Sequence, residues 1–111
     1  MAAVGVHHPK EDAEFDFVLA HLPGQPVLAF FWGVWSAPCK TLEPVVRDLA
    51  RAYAGRVAVV RTDIVRCPET VKRMAVLGAP TFVLLKDGTE VARTTEAVDE
   101  AGVRAFLDGA L

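Results

Sequence analysis

Val27-Leu28-Ala29-Phe30-Phe31-Trp32 is an unbroken apolar run that opens directly after Pro26. A strand with one wet face alternates polar and apolar residues, so a continuous run demands cover on both faces. That requirement selects a sheet sandwiched between helices and makes this segment a central strand. The strand pattern breaks at Trp35, and beyond Pro38 the apolar positions recur at helical spacing. Cys39 therefore falls in the first turn of a helix that leaves the end of a buried strand. In open α/β sheets, reactive groups gather outside the carboxyl ends of strands, where a loop enters the next helix. A helix N-terminus adds unpaired N–H groups and the positive end of the dipole, surroundings that favour a thiolate over a thiol.

The remaining elements follow from spacing. Phe15, Val18, Leu19 and Leu22 predict a first helix over Glu11 to Leu22, with Glu11, Asp12 and Glu14 in its first turn and Pro23-Gly24 closing it. Cys39 to Tyr53 reads as the second helix, burying Leu42, Val45, Val46, Leu49 and Tyr53 and wetting Lys40, Glu43, Arg47, Asp48 and Arg51. Pro44 removes a backbone hydrogen bond inside it, and Gly55 stops it. Residues 56–62 are rich in β-branched side chains and read as a strand. Pro68 starts a short third helix, expected to turn Val71, Met74 and Leu77 inward and to end at Gly78. Residues 81–86 and 89–93 flank Asp87-Gly88, a strong hairpin signal. Asp99 to Leu111 is the last helix, with Val103, Phe106, Leu107 and Leu111 on one face.

Residues 1–10 read as an N-terminal arm or a weak edge strand over Ala3 to His7, and residues 11–111 as a single domain. The order (β)αβαβαββα predicts an α/β fold: a mixed sheet of four to five strands with helices on both faces. His7 and His8 point to opposite sides of an extended segment and do not converge on one ion. With no His, Asp or Glu cluster at metal spacing and no phosphate-binding glycine loop, neither a metal nor a cofactor is expected.

A chain of 111 residues supplies one hydrophobic core, and the net charge of -2 gives no reason to expect nucleic acid or an acidic membrane as partner. No apolar run approaches the roughly 20 residues that span a bilayer. The N-terminal stretch lacks the basic start and apolar segment of a secretory signal. Two cysteines without such a signal argue for a reducing compartment. A cytoplasmic monomer is the expectation.

Phe31-Trp32, Trp35, Pro38-Cys39-Lys40, Pro44, Ala79-Pro80-Thr81 and Lys86-Asp87-Gly88 together resemble the thioredoxin family, across nearly the whole chain. The resemblance implies a thioredoxin fold and a thiol-disulfide oxidoreductase ancestry. It also implies a cis Pro80 facing the active-site turn, with the backbone of Ala79 open beside Cys39 to pair with an extended peptide. The implied site is Cys39 and Ser36 at the chemical centre, flanked by Trp35, Ala37, Pro38, Ala79 and Pro80 as the surface for a protein or peptide partner, including one that carries a disulfide. Of the two tryptophans, Trp32 and Trp35, one is expected to be packed and one to lie on the rim.

The departures bear directly on activity. The family's first cysteine is Ser36 here, and a hydroxyl without a base can neither attack a disulfide nor form one, so dithiol exchange is lost as the sequence stands. Phe30 stands where the family usually carries a buried aspartate that assists proton transfer. Arg61 takes the place of a buried lysine and is expected to turn toward water. Glu96 stands near a glycine that lets partner backbones approach. Cys67, just before Pro68, is expected to be a second free thiol. Two classes of function stay open: a redox protein acting as a monothiol through Cys39, with Ser36 donating to the thiolate, or a non-catalytic module that binds a partner in the Trp35/Pro80 groove.

Overall fold

The computed structural model describes residues 6–22 and 24–111. Its elements are β1 (Val6–His7), α1 (Asp12–Ala20), β2 (Val27–Trp32), α2 (Ala37–Ala52), β3 (Ala58–Asp63), α3 (Pro68–Arg73), β4 (Thr81–Lys86), β5 (Thr89–Thr94) and α4 (Glu100–Ala110). The apolar run is β2, the middle strand of a five-stranded sheet ordered β1-β3-β2-β4-β5. It runs parallel to β3 and antiparallel to β4, so the sheet is mixed.

Period-two alternation sends the residues of β2 into two cores. Leu28 and Phe30 pack with Cys39, Leu42, Val46 and Leu49 of α2 and with Val103 and Leu107 of α4. Val27, Ala29 and Phe31 pack with Phe15 of α1, with Val60, Val83 and Leu85, and with Val71 and Met74 of the α3 region. Helices thus cover both faces, as the unbroken apolar run requires.

Within the described part of the N-terminal segment, Val6 and His7 are sheet. Val6 and His7 pair in parallel with Val59 and Val60, while residues 1–5, where the strand was expected to begin, lie outside the described residues. Asp87 (φ 52°) and Gly88 (φ 79°) make the turn between β4 and β5 with two left-handed residues in succession, the geometry that Asp-Gly supplies most easily.

The third helix departs from expectation. It ends at Arg73, not at Gly78, because Ala75 adopts a left-handed conformation (φ 53°) and reverses the chain. The Val76 N–H then reaches back to the Val71 carbonyl (2.9 Å) and the Ala75 N–H to that of Lys72 (3.2 Å), a Schellman closure. Arg93 of β5 donates to the carbonyls of Met74 (2.6 Å) and Ala75 (3.1 Å) and satisfies the exposed helix end. As a result Val76 is buried and Leu77, expected inside, is 99% exposed.

At its other end α3 is held by a distant side chain. Asp12 Oδ1 accepts from the Thr70 N–H and hydroxyl (both 2.7 Å), and Oδ2 accepts from the Glu69 N–H at 3.3 Å. Partial burial alone would raise the Asp12 carboxyl, but the donors from Thr70 and Glu69 outweigh it and hold the group below its ordinary value. Asp12→Ala should therefore cost about 2 kcal/mol near neutral pH, the scale of a charged cap whose loss leaves buried Thr70 unsatisfied. Because the folded carboxyl titrates below the unfolded one, this stabilisation is complete above about pH 4 and fades as pH falls through the folded value. Urea unfolding of both chains at neutral and strongly acidic pH checks it: the gap should close in acid.

Candidate functional site

The site forms where β2 ends and the chain must reverse into α2. Gly33 is buried under the indole of Trp35; a Cβ there would come within 2.7 Å of the Trp35 ring, so glycine is what lets the ring lie over the turn. Ser36 then takes the N-cap position of α2 with extended backbone (φ -90°, ψ 113°), and its Oγ accepts from the Cys39 N–H at 3.4 Å. The helix accordingly starts at Ala37, with Pro38 in the first turn, two residues earlier than the sequence reading placed it. Cys39 remains in the first turn.

The Ser36 hydroxyl donates at 3.4 Å to the carbonyl of Ala79, 43 residues away. That contact brings the α2 turn and the loop before β4 together. The Ala79–Pro80 peptide is cis, and the Thr81 hydroxyl donates to the Gly78 carbonyl at 2.6 Å, pinning the same loop from the other side. The monothiol reading has Ser36 donate to the Cys39 sulfur; here its hydroxyl donates to the Ala79 carbonyl and accepts from the Cys39 N–H.

Burial sorts the site residues. Cys39 is 3% exposed and Ser36 is 7% exposed, whereas Ala37 and Pro38 lie at the surface. Ala79 and Pro80 are half-buried. Trp32 is half-buried and Trp35 is 61% exposed. Leu77, Val34 and Val98 add exposed apolar surface from the neighbouring loops. Cys67 is fully buried at the start of α3 and, like Cys39, is a free thiol. Burial first, then the negative fields of Asp12 and Asp63, push Cys67 up to about 11, which leaves it an unreactive thiol at neutral pH. Glu96 is exposed, its N–H bonded to Thr94 Oγ1 at 3.2 Å.

Arg61 does not point to water. It lies beside Phe30 in the β2–β3 register, stacks its guanidinium on Trp32 at 3.8 Å from the ring centre, and pairs with Glu43 through both terminal nitrogens (3.2 and 3.4 Å). Glu43 and Cys39 are four residues apart on α2 and therefore share a helix face. With Trp32, Gly33, Lys40 and Arg61 they line a small pocket of about 170 Å³. The sequence listed Glu43 only with the wet face of its helix; the one available hint was its spacing from Cys39. Phe30 contributes no polar atom: it is fully buried and stacked on Phe82 at 4.9 Å.

Among the described residues no group of three or more His, Cys, Asp and Glu is arranged to hold a metal, and no helix is long and apolar enough to cross a membrane.

Set beside known proteins, the chain matches the thioredoxin family profile over residues 6–109. It is 34% identical over 108 residues to thioredoxin C-2 of Corynebacterium nephridii, covering 97% of each chain. It is 36% identical over 97 residues to a thioredoxin of Pseudomonas aeruginosa, covering 87% of this chain and 89% of the other. In three dimensions it superposes on Fasciola hepatica thioredoxin with a TM-score of 0.84 at 25% identity, covering 95% of this chain and 99% of that one. The reduced Schistosoma mansoni thioredoxin pre-protein gives a TM-score of 0.86 at 23% identity, over 96% and 99% of the two chains, a likeness of fold. The chain belongs to the thioredoxin family of redox proteins.

Proposed function

We propose that this protein has kept the partner-binding groove of its family and lost dithiol exchange, and that it acts by binding an extended segment of a protein partner across Trp35, Pro38 and Ala79-Pro80. The observation that carries this reading is the division of exposure at the turn. The sulfur-bearing residue is 3% exposed, while the tryptophan beside it is 61% exposed. Exposed aromatic anchors are what peptide-binding surfaces use, and a buried thiol behaves as a small hydrophobe. Ser36 serves this arrangement as a cap and as a tie to Ala79, roles a hydroxyl fills without redox chemistry. A peptide array probed with the native chain tests the reading. Bound sequences should lose affinity by about tenfold or more in Trp35→Ala, the usual range for an aromatic anchor, and keep it in Cys39→Ser. Binding that ignores Trp35, or that vanishes with Cys39, would overturn it.

A second reading, a monothiol redox role through Cys39, draws on one observation: Cys39 borders the small pocket of about 170 Å³ that it shares with Glu43 and Arg61. Under that reading small reagents reach the sulfur where a folded partner does not. Rapid alkylation of Cys39 in the native chain by iodoacetamide supports it, and protection comparable to that of Cys67 removes it.

A further inference from the structure

β1, β3 and β2 are mutually parallel neighbours, so their carboxyl ends lie along one edge of the sheet. Ligands of open α/β sheets bind outside such an edge. There the structure has a cleft of about 420 Å³ whose walls include His8, Lys10, Trp32, Arg61, Asp63 and Arg66. Its charges are specific. Lys10, Arg61 and Arg66 line it as cations and Asp63 as an anion, and behind Arg61 the Glu43 carboxylate is paired to both Arg61 and Arg47. Asp63 is already engaged by the Val65 N–H at 2.8 Å and meets Arg66 only at 3.9 Å, beyond hydrogen-bond distance. Arg66 is 66% exposed, so its planar fork stands in the cleft mouth with donors to spare. Arg61 spends its terminal nitrogens on Glu43, and its guanidinium and the Trp32 ring form a flat wall.

We propose that this cleft is a carboxylate site that receives an acidic side chain of an extended peptide segment. The cleft is net positive, and a planar Arg fork matches the two oxygens of a carboxylate. Asp63 in the wall and Glu43 behind Arg61 disfavour a phosphate dianion relative to a single carboxylate. The cleft shares Trp32, Val34 and Arg61 with the small pocket that reaches Cys39, and Val34 is the chain neighbour of Trp35. The identification of the acidic segment as part of the groove's partner rests on the function proposed above; the carboxylate site itself does not. His8 adds a signature. Partial burial, then the charges of Arg61 and Arg47 and a smaller one from His7, lower its ring below the ordinary value against the opposing field of Glu43. A bound carboxylate favours the protonated ring, so binding should tighten as pH falls below neutrality.

The test is a nuclear magnetic resonance titration of the full chain with three probes: acetyl-Ala-Glu-Ala-amide, its Gln counterpart and inorganic phosphate. The Glu peptide should shift the Trp32 indole and Arg66 signals saturably, with an affinity in about the millimolar range expected for one charge-assisted contact. The Gln peptide should not. Arg66→Glu should weaken the Glu peptide by roughly tenfold or more, and Arg66→Lys by less. The proposal fails if Glu and Gln peptides shift the same signals alike, if Arg66→Glu binds as the native chain does, or if phosphate binds more tightly than the Glu peptide. The Glu-peptide titration of the native chain reads this site and the Trp35→Ala peptide array reads the groove, so failure of one is distinguishable from failure of the other.

Discussion

Phe30→Ala should lower the unfolding free energy by about 3–5 kcal/mol, a large share of the total for a domain of this size. Phe30 is fully buried in the centre of β2, opposite Phe82 of β4 and Arg61 of β3. Its ring stacks on that of Phe82 with centres 4.9 Å apart and planes 13° apart, and it packs with Cys39 and Leu42 beneath α2. Truncation removes apolar transfer energy and leaves a cavity between elements that cannot collapse, because α2 is tied to β3 through Glu43–Arg61 and to α4 through the Tyr53 hydroxyl and Asp108 (2.7 Å). Phe30→Leu, which keeps most of the volume, should cost far less. Urea unfolding of the two variants measures the difference. An aspartate at this position would place a carboxylate in an apolar core, with the Arg61 guanidinium beside it in the β2–β3 register.

Ser36→Cys should raise the disulfide-reducing activity of the chain above that of the native protein. The variant places two thiols at the N-cap and third positions of α2, on a turn whose Trp35, Pro38 and Ala79-Pro80 surroundings are already in place. Insulin reduction with dithiothreitol as the reductant should rise clearly above the native rate. It should nevertheless stay on the order of 10²-fold or more below a relative that carries the buried carboxylate, because no proton acceptor replaces it at Phe30. The variant should also lose about 1 kcal/mol of stability in its reduced form, since the Ser36 Oγ cap to the Cys39 N–H disappears. Full family-level turnover would mean that Phe30 and Glu96 are of no consequence.

The parts of this structure legible in the sequence are those fixed by short-range pattern. The run Val27–Trp32 had to be central, Asp87-Gly88 had to turn, and Cys39 had to sit in a first helical turn, because each follows from periodicity or from local backbone chemistry. Leu77 was misplaced because helical spacing continues through Ala75, and nothing local marks an alanine for the left-handed conformation that ends α3. Arg61 was misplaced because its partners, Glu43 and Trp32, come from other elements and meet it only in the folded sheet. The role of Asp12 as a cap for α3, more than fifty residues away, was hidden for the same reason. At the site, sequence identified Ser36 as the altered position but not its hydrogen bond to Ala79, which depends on a loop from the far side of the turn.

The central claim is that the groove binds and the sulfur beneath it does not exchange. Release of thionitrobenzoate from a peptide mixed disulfide measures this directly in the native chain, with Cys39→Ser as the control. Burial of Cys39 at 3% exposure predicts release far slower from the folded chain than from the same chain in denaturant. Release from the folded chain as fast as from the unfolded one, and abolished by Cys39→Ser, would contradict the account.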